Sequence, residues 1–216
     1  MTTKNNHVSV GGIVDFQYIG GRNLGFLIKE YSIRLFNEET MEILLDRSGK
    51  ISLRANQINF KAYDSAIELH GLNYYIGYSF GNFLEDMKDV MAFKPVKFIA
   101  FGHNKINTLK QIYSTHFQTL KQPEFINLEY PPFNIKYKKI INAPDSFNIA
   151  PCAGSNETHK IRCSEKNVNI LYNRILRDKI DSLKTKEYSC HPAPKDIHQR
   201  LLKEPCVTGQ QTMMNN

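Results

Sequence analysis

Residues 24–53 read L-G-F-L-I-K-E-Y-S-I-R-L-F-N-E-E-T-M-E-I-L-L-D-R-S-G-K-I-S-L. The apolar runs 24–28, 33–36, 41–45 and 51–53 are separated by charged or turn-forming groups: Lys29-Glu30, Asn37-Glu38-Glu39 and Asp46-Arg47-Ser48-Gly49. Connections this short join only antiparallel neighbours, so the stretch is expected to form a β-meander. Within the runs the faces alternate, with Ile33 and Leu35 against Arg34 and Phe36, and Met41, Ile43 and Leu45 against Glu42 and Leu44. That pattern describes a sheet with one buried face, which an amphipathic helix would cover most economically.

Working outward, residues 57–63 and 65–69 continue the strand pattern, 73–78 add a short apolar run, and 96–101 read as a last strand. Residues 79–91 carry the spacing of a short helix with Asn82 as its cap. The clearest helix follows: Ile106, Leu109, Ile112, Tyr113, Phe117 and Leu120 recur at helical spacing between Asn104, which can cap it, and Pro123. No connection between the strands looks long enough for a crossover helix, which excludes a parallel sheet. The expectation is an α+β fold, an antiparallel meander of about six strands closed by one amphipathic helix, followed by a C-terminal helix and a disordered tail.

Read by composition, residues 1–123 form this β-sheet/helix domain. Residues 124–141 are an aromatic and basic segment wrapping its surface, and 142–163 are a linker. Residues 164–185 are an amphipathic helix, and 186–216 are a tail. The net charge of +7 is unevenly spread: residues 1–133 carry 14 Lys and Arg against 13 Asp and Glu, whereas 134–216 carry 14 against 8. Attraction to phosphates or acidic partners therefore belongs mainly to the C-terminal third. No apolar run approaches the roughly 20 residues of a membrane-spanning helix, and the first residues lack the apolar core of a secretory signal. The expected location is intracellular, in cytoplasm or nucleus.

The order V-D-F (14–16), L-G-F (24–26) and S-I-R-L-F-N-E-E-T-M-E-I-L-L (32–45) resembles a polo box, the non-catalytic module of polo-like kinases. The run K-I-N-T-L-K (105–110) is similar to the opening of the helix that closes such a box. A second register is carried by G-K-I-S-L-R-A-N (49–56), which resembles the divergent last box of the centriole-duplication kinases. The chain departs from the family in having no Trp, with Ile13 at the place where polo kinases carry one before V-D-Y. The resemblance implies a non-enzymatic docking adaptor of the cell cycle that binds a protein segment, phosphorylated or not, and is targeted to the centrosome, kinetochore or spindle. By the same resemblance Val14, Phe16, Leu24 and Phe26 would line the groove with Thr108 and Leu109 on the facing helix. The stripe Val168, Leu171, Ile175 and Leu183 of the C-terminal helix would serve self-association as a dimer.

A glycine-rich loop, H-R-D and D-F-G are all missing, so kinase chemistry is excluded. Cys152, His159, Cys163, Cys190 and His191 lack the paired spacing of a zinc site, and Glu85, Asp86 and Asp89 read as a solvated helix face. The reading is therefore of no enzyme, no cofactor and no metal. Two alternatives stay open: a pleckstrin-homology-like domain binding lipid or protein, and a nucleic-acid-binding protein working through the basic C-terminal third. A nucleic-acid partner is the less favoured expectation, because the best basic and aromatic cluster, Lys136, Lys138 and Lys139 with Tyr130, Phe133 and Tyr137, equally suits a surface-wrapping segment.

Overall fold

The computed structural model describes residues 8–22, 25–131, 133–136 and 163–190. The chain divides into two units, Met1–Leu176 and Arg177–Asn216, and the architecture below is that of the first. Five strands form one mixed sheet in the order β3-β2-β1-β4-β5. Strands β1 (Val10–Gly20), β2 (Phe26–Asn37) and β3 (Ile43–Lys50) are antiparallel neighbours. Strands β4 (Lys97–Ala100) and β5 (Glu124–Asn127) extend the sheet from the other edge of β1, each parallel to its neighbour. Four α-helices are described: α1 (Phe60–His70), α2 (Phe80–Ala92), α3 (His103–His116) and α4 (Ser164–Cys190). This is an α/β arrangement, and it replaces the expected antiparallel meander closed by a single helix.

Three local readings produced the difference. The first concerns 57–69, whose apolar residues fit either period. Asn59 caps a helix there, its side chain accepting from the Ala62 N–H at 3.5 Å, and Gly71 ends it in the left-handed region at φ 62°. Tyr63 and Ala66 then fall on one side, against Ile19 of β1 and Ile58. With α1 and α2 both lying between β3 and β4, the connection is long enough for a crossover, and β4 lies parallel to β1. The second concerns Lys29-Glu30, a charged pair that the sequence pattern puts in a turn. These residues sit inside β2, fully buried at 0% and 3% exposure, and Lys29 is the extra residue of a bulge where the pairing steps from Gln17↔Glu30 to Tyr18↔Ile28. The third concerns 73–78, which touch the meander through one parallel bridge, Ile51↔Tyr78, rather than as a strand.

A sheet with parallel strands at its centre must be covered on both sides, and this one is. On one face Val14, Phe16, Ile33, Leu35 and Phe98 meet Phe83, Met87 and Val90 of α2 and Ile106, Leu109 and Ile112 of α3. On the other, Ile13, Phe36, Ile99 and Phe101 meet Val168, Leu171 and Tyr172 of α4. Each such side chain contributes about 1.5–3 kcal/mol on burial. Ser79 starts α2, with Asn82 three residues on completing the capping box; α3 follows Gly102, whose φ of 112° suits a residue without a side chain. No helix among the described residues is long and apolar enough to cross a membrane.

Candidate functional site

The α4-covered face of the sheet is not uniformly apolar. Along β1, Ile13 gives way to Asp15 and Gln17, two residues apart and so on the same side, opposite Ser32 and Glu30 of β2. All four are buried. A carboxylate in this position is costly unless partnered, and the fold supplies partners from two helices. Asp15 Oδ2 accepts from Gln17 Nε2 at 3.0 Å and from Asn167 Nδ2 of α4 at 2.9 Å, and Oδ1 is ion-paired with Lys105 in the first turn of α3. Burial pushes the Asp15 carboxyl above its ordinary range, while Lys105 and Asn167 pull it back. The Asn167 Oδ1 is buried with no hydrogen-bond partner.

Glu30 performs a different task. Its Oε2 accepts from the Ser164 N–H at 3.0 Å and from the Ser164 hydroxyl at 2.7 Å, so a strand carboxylate caps the first turn of α4, where the helix dipole favours a negative charge. Next to it Lys29 donates to the Ile51 carbonyl at 2.6 Å, to that of Tyr74 at 3.1 Å and to that of Ile76, tying β2 to the loop before α2.

Beside Asp15, at the carboxyl ends of β1 and β4, opens a cleft of about 530 Å³. Ligands of open α/β sheets bind at this end of the strands. One wall is donor-rich: Gln17, Lys105, and the start of α3 at Gly102, His103 and Asn104, where the first helical N–H groups have no partner within the helix. Another part of the lining is aromatic, with Tyr18 and the 64%-exposed Phe26 at 5.9 Å between ring centroids. Tyr18 is fixed from behind by donating to the Thr108 hydroxyl at 3.1 Å. Asn127 at the end of β5 holds the Gly102 turn, its Oδ1 accepting from the Gly102 N–H at 3.1 Å and the Glu129 N–H at 3.0 Å. The lining combines donors suited to a phosphate with flat rings on which a base can stack.

Of the expected groove residues, Phe16 and Phe26 both line this cleft. Val14, Phe16 and Leu109 lie in the core under α2 and α3, Thr108 is partly buried behind Tyr18, and Leu24 lies outside the described residues. Phe26 is at the cleft mouth. Val168 and Leu171 are buried against Ile13 and Phe36, and Ile175 packs partly buried at the edge of that cluster. The Leu183 side chain lies outside the described residues, as do Cys152, His159 and His191 of the cysteine and histidine set. The site's own residues, Asp15, Gln17, Lys105 and Asn167, form no recognised motif in the sequence, although an Asp and a Gln at alternate positions of an apolar strand mark polar groups that the fold must bury.

The sequence matches no family model and no curated protein. Among solved structures the chain is similar to the one described as 3′-end specific recognition of histone mRNA stem-loop by 3′-exonuclease. The identity is 18%, the TM-score 0.50, and the likeness covers 79% of this chain and 83% of that one. Similarity at TM-scores of 0.43 extends to the nuclease domain of 3′hExo bound to rAMP, described as a DEDDh family member, at 18% identity over 80% and 94% of the two chains. It also extends to cell-death related nuclease 4, at 9% identity over 79% and 64%; neither of these superposes well enough to identify a fold by itself. The fold is thus that of a 3′-exonuclease domain. This overturns the polo-box resemblance and the docking-adaptor reading that it implied, and with them the inference, drawn from missing catalytic motifs, that the chain is no enzyme. The pleckstrin-homology-like alternative falls with the same sheet, and a nucleic-acid reading placed on the C-terminal third, most of which lies outside the described residues, gains no support from it.

Proposed function

We propose that the chain acts on the 3′ end of single-stranded nucleic acid, seating the last nucleotides in the cleft between Lys105 and Phe26. The observation that carries this is a coincidence of place. The polar cluster around Asp15 adjoins the cleft at the carboxyl ends of the two parallel strands, in a fold shared with a 3′-exonuclease. Phosphate oxygens would meet the Lys105 ammonium and the N–H groups that open α3. A terminal base would stack on Phe26 and Tyr18, a contact worth about 1–3 kcal/mol per base. His103 at the rim is the imidazole placed to take or give a proton, and Lys105 is the cation placed to meet charge developing on a phosphodiester.

End selection separates this reading from general attraction of a basic chain to phosphates. Binding of a labelled linear oligonucleotide is compared with that of the same sequence closed into a circle, and the linear strand is followed for shortening. The linear strand is expected to bind more tightly and to shorten from its 3′ end. Equal affinity for the two, or no binding of either, contradicts the proposal.

A further inference from the structure

Phosphodiester cleavage in many nucleases runs through two divalent metals about 3.5–4 Å apart, clamped between carboxylates. Such hard cations need several anionic oxygens, and among the described residues the lining of this cleft holds one carboxylate, the exposed Glu129. Asp15 is the carboxylate at its base, and Oδ1 is already engaged by Lys105. Its neighbours are amides, and both Gln17 and Asn167 turn their N–H groups, not their oxygens, toward Oδ2. The next carboxylate along the face, Glu30, is committed to the start of α4. Among the described residues no group of three or more His, Cys, Asp or Glu side chains is arranged to hold a metal ion.

Resting on the strand-end reading above, we infer that the Lys105 ammonium is the resident cation of this site, held in place by Asp15, so that the cleft takes its nucleic acid without a divalent metal. Three features support this. Lys105 is tethered in the first turn of α3 with its side chain 15% exposed, so it reaches the cleft while anchored below it. Asp15 is 1% exposed and receives donors on both oxygens, which fixes the position of the ammonium. An ammonium is a compact charge with three N–H donors, suited to a phosphate oxygen as a point contact. Asp15 is then a positioning residue for Lys105, and Gln17 and Asn167 orient Asp15.

The test measures affinity of the full chain for a single-stranded oligonucleotide at fixed ionic strength in EDTA, in Mg²⁺ and in Mn²⁺. Affinity is expected to stay the same in all three, and the Mn²⁺ resonance signal to stay that of the free ion when protein is added. Lys105→Met should weaken binding about tenfold, the loss of one charge-assisted contact, and Lys105→Arg should retain most of it. Because Lys105→Met leaves Asp15 without its cation, Asp15→Asn with Lys105→Met, which removes both charges together, is the second variant, its fold checked by thermal unfolding. It should show the same tenfold loss. Affinity that collapses in EDTA and returns with Mg²⁺, or protein-bound Mn²⁺, overturns the inference while leaving the strand-end reading intact. No binding under any condition overturns the reading itself.

Discussion

The two faces of the sheet are built from the same strands and have opposite characters. Under α2 and α3 the layer is mainly apolar, from Val14 to Phe98, with Tyr31 donating to Asp86 of α2 and Tyr18 to Thr108 of α3. Under α4 the apolar patch of Ile13, Phe36, Ile99 and Phe101 runs into Asp15, Gln17, Glu30 and Ser32. The first face depends chiefly on volume, so its worth to the fold scales mainly with buried area. The second depends on partners matched atom to atom, because each buried polar group left unpaired costs about 1–3 kcal/mol. Stability is concentrated on one side of β1 and chemistry on the other, one residue apart along the strand.

Substitutions that exchange the two characters break the comparison most severely. Leu109→Asp places a carboxylate with no partner among Ile106, Phe16 and their neighbours, and its cost of several kcal/mol is on the order of total stability. The variant is expected to be unfolded by circular dichroism. At the β2 bulge, Lys29→Met removes the donor shared by the Ile51, Tyr74 and Ile76 carbonyls, with an expected loss of about 3 kcal/mol in urea unfolding at neutral pH.

The same residue sharpens the comparison through pH. Burial lowers the Lys29 pKa from 10.5 to about 8. Between those values the unfolded chain keeps a proton that the folded chain has released, so stability should rise with pH from about 8 toward 10.5. Below pH 8 both states are protonated and the contribution is flat. In Lys29→Met this rise should be lost; an unchanged slope would assign it to another group.

Smaller effects test the edges of each face. Gly102→Ala meets no neighbouring atom within 4 Å, so its cost is the backbone strain at φ 112° alone, about 1–2 kcal/mol in thermal unfolding. Asp46→Asn opens the paired contact with Arg34, at 2.7 and 2.8 Å but half-exposed on the Asp46 side. The expected loss is about 0.2–1 kcal/mol, shrinking as salt is added.

The apolar face was legible from sequence because alternation reports burial directly. Ile33 and Leu35 were assigned to one side, and the stripe Ile106, Leu109, Ile112 and Tyr113 was read as a helix covering the sheet; these residues do meet in one core. The polar face was illegible for the complementary reason. A charged pair such as Lys29-Glu30 looks the same in sequence whether it turns the chain or is buried on carbonyls and a distant helix start. Its partner Ser164 lies 134 residues away. Asp15 met the same difficulty, since Lys105 and Asn167 come from separate helices 90 and 152 residues distant. Misreading α1 as strand then hid the crossover, and the parallel strands whose carboxyl ends form the cleft were lost with it.

The central claim is that the cleft beside Asp15 is where nucleic acid binds, and amide chemical shifts measured during titration with a single-stranded oligonucleotide test it most directly. The account predicts that the responding amides cluster at Gln17, Tyr18, Phe26 and Gly102 to Lys105. Shifts that leave these unmoved and gather instead in residues 134–216, where the excess positive charge of the sequence lies, would contradict it.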